Sequence, residues 1–223
     1  SFCFFTASAY SIAACQLSKY IDKIFVSTDD LEIANVAEEY GAIVPFLRPQ
    51  ALASDSATDN DVLRHFFEHG LVSDDHLVYI RPTTPLRDPS VLDAAIESFF
   101  CDPAVEKTSM RSMHELPESP YKYFKIEGGY CYGFIETVDL WGRRDYTNFP
   151  RQLLPKAYHP NGYIDVVKKE FVLNGTTFGS KIVPYITDLV VEIDTIEQFQ
   201  FLGDHIKVNS HRLLEHLNEK HRD

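Results

Sequence analysis

Strand-like and helix-like segments alternate from Ala9 to Phe100, and this alternation restricts the fold more than any other feature of the chain. The stretch "SAYSIAACQLSKYI" carries Tyr10, Ile12, Ala13, Leu17 and Tyr20 at mixed three- and four-residue spacings, the pattern of an amphipathic helix. "KIFVSTDD" follows as a short β-branched run. "DLEIANVAEEYGA" returns to a helical period with Gly41 at its stop, "IVPFLRP" reads as a strand and "TDNDVLRHFFEHG" as a helix ended by Gly70. "HLVYIRP" and "PSVLDAAIESFF" repeat the strand and the helix. Such an order predicts an α/β fold, a mainly parallel sheet flanked by helices on both faces.

The pattern changes over about 104–161, which is rich in Pro, Tyr, His and Gly and holds only short strand-like pieces, "YKYFKI" and "YCYGFI". A segment of this kind is expected to be an inserted arm, covering a site or packing on another subunit. Regular structure resumes with "YIDVVKKEFVLNG", "KIVPYIT" and "LVVEID", and a long amphipathic helix is expected from about Thr195. With 223 residues and no glycine- or serine-rich linker, the expectation is a single domain over 1–223.

A formal net charge of -12 argues against a nucleic-acid partner, since phosphate backbones are held by clustered Lys and Arg. A small anion held by local arginines or a metal remains compatible. Cys3, Cys15, Cys101 and Cys131 are far apart in sequence, which signals neither a zinc site nor a disulfide scaffold and fits free thiols in a reducing compartment. No apolar run reaches the ~18 residues of a membrane span, and the first residues lack the basic start of a secretory signal. The expected location is the cytoplasm.

Four stretches could carry chemistry. In "FVSTDDLE", Asp29 stands three residues before Glu32, a capping-box spacing, yet Asp29 and Asp30 also lie where ligands collect, at a strand's carboxyl end. In "LVVEIDTIEQF", Glu192 and Asp194 are two apart in a strand and project from one face, so they could share Mg2+; alternatively Asp194 with Glu197 caps the last helix. In "RPTTPLRD", Asp88 before Pro89 is a well-formed helix start, which leaves Arg81, Thr83, Thr84 and Arg87 to be explained. Their forks and hydroxyls suit a carboxylate or phosphate, or the arginines form surface ion pairs. In "RRDYTNFPRQLLPKAYHPNGYID", Arg143, Arg144, Arg151, Gln152, Lys156, Tyr158 and His159 concentrate positive charge and donors, and "HPNG" announces a turn.

In this order the stretches resemble the acylneuraminate cytidylyltransferase family, which activates sialic acids and related nonulosonic or ulosonic acids as CMP-sugars. The resemblance runs from Ala9 to about Leu202, and "FLRPQALASD", "RPTTPLRDP" and "RQLLPKAYHPNG" carry it most specifically. It implies a mononucleotide-binding, Rossmann-like nucleotidyltransferase fold with an inserted dimerisation arm, and hence a homodimer or a tetramer. It also implies attack of an acidic sugar's anomeric hydroxyl on CTP, with release of pyrophosphate and help from Mg2+. By the same resemblance Glu192 and Asp194 are the metal ligands, Asp194 and Arg81 serve catalysis, and Ser54 belongs to the nucleotide pocket. Arg81, Thr83, Thr84, Lys122, Arg151, Gln152 and Asn161 form the wall that receives the sugar.

The chain departs from the family at three places. Arg81 replaces a usual Gln and Thr84 a usual Ser; Asp165 stands where a Tyr is usual; both departures bear on which sugar is used. Relatives also open with a strand and a basic, glycine-rich phosphate loop, approximately "ARGGSKR", whereas this chain opens with "SFCFFTASAY", and the expectation is a fragment whose strand and loop lie upstream. Two other classes of function remain open on the sequence. One is a non-catalytic sugar-acid-binding relative or partner subunit; the other is a metal-dependent glycosyltransferase.

Overall fold

The computed structural model describes residues 6–101, 106–135, 145–190, 192–193, 195, 197–198, 200, 202–203 and 212–220. Its helices fall where the alternation expected them, whereas the strands expected at "KIFVSTDD" and "IVPFLRP" are reduced to isolated bridges. The elements are α1 (Ala7–Gln16), α2 (Leu31–Glu39), α3 (Asp59–Glu68), β1 (His76–Tyr79), α4 (Pro89–Cys101), β2 (Ser109–Glu115), β3 (Phe124–Glu127), β4 (Tyr130–Gly133), β5 (Tyr158–Lys168), α5 (Lys169–Leu173) and β6 (Ile182–Ile186), with a last described helix at Arg212–Lys220.

Four strands form the main sheet in the order β1-β5-β2-β6. β5 runs antiparallel to both β1 and β2, and β2 pairs in parallel with β6, so β1, β2 and β6 all point one way and the sheet is mixed around β5. Two more extended segments pair in parallel through the bridges Phe25↔Ile43 and Thr28↔Leu47. Alternation of side chains sets two cores, one on each face. Ile24, Val26, Val78, Ile80 and Val166 join α1, α2 and α4 on one face, whereas Phe25, Leu77, Tyr79 and Val167 join α3 and α5 on the other. The segment around Phe25 thus lies in the same layer as β1, and among the described residues no ladder joins the two.

Several local expectations shift. α1 is not a surface amphipathic helix: Ala9 to Cys15 are all buried, because α2, α4 and the last helix enclose it and its alanines and Ser11 admit close approach. The α2 cap is Asp30 rather than Asp29, with its carboxylate accepting from Glu32 N at 2.7 Å and Ile33 N at 2.9 Å. Asp88 caps the start of α4 as expected, accepting from Ser90 N at 2.8 Å. Thr195 and Gln198 bond reciprocally, through Thr195 N to Gln198 Oε1 at 2.9 Å and Gln198 N to Thr195 Oγ1 at 3.3 Å, while the expected cap residue Asp194 lies outside the described residues. Much of the expected final helix lies outside the described residues.

The arm is narrower than 104–161. β2 belongs to the main sheet although "SMRSMHE" has no apolar run, since its buried serines are satisfied by backbone: Ser109 Oγ donates to Phe178 O at 2.6 Å and Ser112 Oγ accepts from Ile164 N at 2.9 Å. "HPNG" is not a turn between elements but part of β5, where the β2–β5 register shifts between Arg111 and Met113 and Gly162 takes φ 60. Between β2 and β5 lies the hairpin β3–β4, turned at Gly128 and Gly129, both with positive φ.

His76 packs edge-on against Phe99 and Phe100 at centroid distances of 5.8 and 5.3 Å. Burial first, and then the Lys168 ammonium, holds its imidazole below the usual value of 6.5. The native chain therefore binds fewer protons than the unfolded chain once the pH drops below 6.5, and stability conferred by neutral His76 is lost as pH falls through the lowered native value. The urea midpoint is expected to fall between about pH 7 and pH 5, and more steeply in the native sequence than in His76→Phe. Equal slopes in the two proteins would contradict this.

Candidate active site

β1, β2 and β6 end at one edge of the sheet, and β5 begins there, so Arg81, Glu115, Tyr158 and Thr187 are gathered at the carboxyl ends where open α/β sheets bind ligands. The loop after β1 is fixed by Arg87. Its guanidinium is fully buried and donates from Nε to Tyr163 O at 2.6 Å, from Nη1 to Ser11 Oγ at 3.0 Å, and from Nη2 to Gly162 O at 2.9 Å and to Arg81 O. Burial pushes this cation down to about 10. The expected alternatives for Arg87, anion grip or surface ion pair, both give way to an internal tie of loop, α1 and β5.

Thr84 and Asn161 complete the tie. Both are buried; Thr84 Oγ1 donates to Asn161 O at 3.0 Å, and Asn161 Nδ2 donates to Thr187 Oγ1 at 2.7 Å beside His114. Their polar groups are engaged within the framework, so they shape the wall from behind. Thr83 O accepts from Ile193 N at 2.8 Å, which brings the loop beside Glu192. Glu192 is half-buried. Asp194 lies outside the described residues, as do Arg143 and Arg144, and among the described residues no group of three acidic, histidine or cysteine side chains forms a metal cluster.

Arg81 joins a charged chain. Nη1 donates to Asp165 Oδ2 at 2.8 Å, Nη2 donates to Asp59 Oδ2, and Tyr79 Oη donates to Asp59 Oδ1 at 3.0 Å. Arg111 Nε stands 3.8 Å from Asp165 Oδ1, and its guanidinium lies 4.2 Å from the Phe178 ring centroid. Burial raises the Asp165 carboxyl above its ordinary value against the pull of Arg81 and Arg111. Burial likewise opposes the charge on Arg81, but Asp59 and Asp165 outweigh it and hold the guanidinium more firmly protonated. Gly162 permits this packing, since a Cβ there would meet Arg81 Cδ at 3.1 Å. The two unusual residues Arg81 and Asp165 are thus each other's partners.

Arg151 and Gln152, in a 3-10 turn at Arg151–Leu153, line a pocket of about 340 Å³ with Glu115, Ser119 and Lys156. Lys156 Nζ donates to Glu115 Oε2 at 2.7 Å, and Ser119 Oγ is buried without a hydrogen-bond partner. Lys122 is exposed in the adjoining turn Pro120–Lys122, whose backbone closes on Ser119. Ser54 is exposed in the loop before α3, with Oγ 3.1 Å from Ser56 Oγ. Asp29, which the spacing offered as a cap or ligand, pairs with Arg48 at 3.3 Å. Sequence reading overlooked Asp59 and Ser119; the signal for Asp59 was "TDND", in which Thr58 and Asp61 take the capping box and leave Asp59 without that role.

Comparison with known proteins follows the same lines. A family model described as cytidylyltransferase matches residues 8–123. The chain is 27% identical over 201 residues to an N-acylneuraminate cytidylyltransferase of Escherichia coli, with 86% of this chain and 43% of that protein covered. It is 30% identical over 200 residues to post-translational flagellin modification protein B of Campylobacter coli, with 86% of this chain and 80% of that protein covered. A solved CMP:2-keto-3-deoxy-manno-octonic acid synthetase in complex with CTP shares the fold at a TM-score of 0.62 and 13% identity, over 90% of this chain and 87% of that one. The chain therefore spans less than half the length of the Escherichia coli relative.

Replacement of Arg87 leaves three carbonyls, two of them buried, and the Ser11 hydroxyl short of a donor. Arg87→Met is expected to cost about 2–4 kcal/mol of stability in urea unfolding. Arg87→Lys is expected to recover little, because an ammonium cannot span the same acceptors. A loss within about 0.5 kcal/mol, the range of ordinary surface changes, would contradict the role as a tie.

Proposed function

Starting from the membership of this chain in the cytidylyltransferase family, we propose that it forms a CMP-sugar from CTP and an acidic 3-deoxy-2-keto sugar, a sialic-acid-like nonulosonic or ulosonic acid. The observation that carries the reading is the meeting of the Arg81–Arg87 loop with the Glu192 segment through Ile193 N and Thr83 O, at the sheet edge that also holds the Arg151 pocket. In the reaction the anomeric oxygen bonds to the α-phosphorus of CTP, the bond from that phosphorus to the bridging oxygen breaks, and pyrophosphate leaves with the electron pair. The hydroxyl proton passes to solvent or a nearby base.

Such a transfer needs orientation and charge neutralisation more than a covalent intermediate. Arg151 and Gln152 offer donors to the sugar at the pocket, Lys122 stands in the adjoining turn, and Arg81 offers a cation in the loop after β1. Thr83, Thr84 and Asn161 hold the wall in shape, and Ser54 is assigned to the nucleotide side. The carboxylates of Glu192 and Asp194, hard oxygen donors two residues apart, suit Mg2+. When bound there, Mg2+ would neutralise phosphate charge. The hairpin β3–β4 exposes Phe124, Ile126, Tyr130 and Tyr132, with Ile126 75% exposed, which supports packing against a second copy in a homodimer or larger assembly. Sedimentation as a monomer would contradict that part. No described helix is long and apolar enough to cross a membrane, and the free thiols Cys15, Cys101 and Cys131 are compatible with the cytoplasm.

The test is pyrophosphate release from CTP and Mg2+ with a panel of 3-deoxy-2-keto sugar acids. Asp194→Ala is expected to lower turnover by about 100- to 1,000-fold, and Arg151→Ala to raise the sugar KM with little change in the CTP KM. Silence with every acid would favour a binding protein instead, and hydrolysis of a nucleotide sugar without pyrophosphate release would favour a glycosyltransferase. Undiminished turnover in Asp194→Ala would remove it from the metal site.

A further inference from the structure

The charged chain around Arg81 is asymmetric. Asp165 is wholly buried on β5, between Arg81 and Arg111, whereas the Asp59 side chain is 45% exposed at the first position of α3. The Arg81 side chain is itself 22% exposed, and Asp59 covers the outer half of its fork. Asp59 is not the cap of its helix: Thr58 accepts from Asp61 N, and the Asp61 carboxylate accepts from Thr58 N at 2.9 Å. Its carboxylate is directed to Arg81 and the Tyr79 hydroxyl instead.

We infer that Asp59 is an internal stand-in for the carboxylate of the acidic sugar at Arg81, and that binding of the acid exchanges one carboxylate for the other. The inference rests on the proposed function and names a determinant of acid recognition within it. Charge balance favours the exchange. Arg81 and Arg111 carry two positive charges, Asp59 and Asp165 two negative ones, and the group is neutral. When Asp59 turns to solvent, one positive charge is left for one incoming anion, whereas Asp165 has no solvent to turn to.

The position also suits the incoming group. It lies at the N-terminus of a ten-residue helix, where the backbone favours negative charge. Tyr79 keeps a proton to donate, because burial and then the Asp59 charge push its hydroxyl up to about 12. Arg81 Nη1 remains fixed on Asp165, so the fork keeps its orientation while its outer partner changes. A neutral analogue gains nothing from displacing Asp59, so discrimination between the acid and its amide arises at this exchange.

The experiment compares wild type, Asp59→Asn and Tyr79→Phe by calorimetric titration with free 3-deoxy-2-keto sugar acids, N-acetylneuraminate among them, and with the amide of the tightest binder. Asp59→Asn is expected to bind the acid about three- to tenfold more tightly, an effect that shrinks with added salt. Binding of the amide should be unchanged. Tyr79→Phe loosens Asp59 without removing its charge and should give a smaller gain in the same direction. Unchanged or weaker acid binding in Asp59→Asn overturns the inference, as does failure of every acid to bind the wild type. Tighter binding without pyrophosphate release in any variant would sink the proposed reaction and leave the exchange standing.

Discussion

A single buried guanidinium, that of Arg87, holds the loop after β1 against β5 and α1. A charge in that position is costly to desolvate, and only a planar donor with several N–H groups can satisfy carbonyls that converge from three directions. The tie reaches Arg81 through its carbonyl oxygen and reaches the β5 bulge through Gly162. Orientation of the Arg81 fork and the position of Thr83 beside the Glu192 segment both follow from it. The two arginines of "RPTTPLRD" thus divide the labour, one building the loop from inside and the other facing the site.

Around the second arginine, electrostatics rather than apolar contact decides the arrangement. Asp165 is placed by β5 in a layer of buried side chains, where a lone carboxylate would be unfavourable, and Arg81 and Arg111 make its charge tolerable. The pair acts as a unit, because either residue alone would leave an uncompensated charge. Sugar preference would therefore be expected to follow the pair, with Asp59 as its outer, exchangeable member.

The helices α1 to α4, the start of α4 at Asp88 and the strand-like pieces of β3 and β4 were legible in the sequence because each has a local cause, a hydrophobic period or a cap. β2 was not, because its inward residues are serines whose partners, Phe178 O and the amide of Ile164, are 52 or more residues away. The cap of α2 was misplaced by one residue, Asp29 for Asp30, since adjacent acidic side chains satisfy the same spacing rule. Of the residues expected in the sugar wall, Arg151 and Gln152 line one pocket, whereas Thr84 and Asn161 bond to each other inside the framework. The sequence could not separate those that face the pocket from those spent inside the framework, because burial depends on the register of β5 and its bulge.

The central claim is that this edge of the sheet directs a sugar hydroxyl to the α-phosphorus of CTP. It is tested most directly by CTP labelled with phosphorus-32 at the α position, incubated with Mg2+, the protein and the sugar acid that it binds best. The account predicts that the label moves into a sugar-linked CMP, one equivalent for each pyrophosphate released. Label that stays in CTP, or appears only as free CMP when the sugar is present, would contradict it.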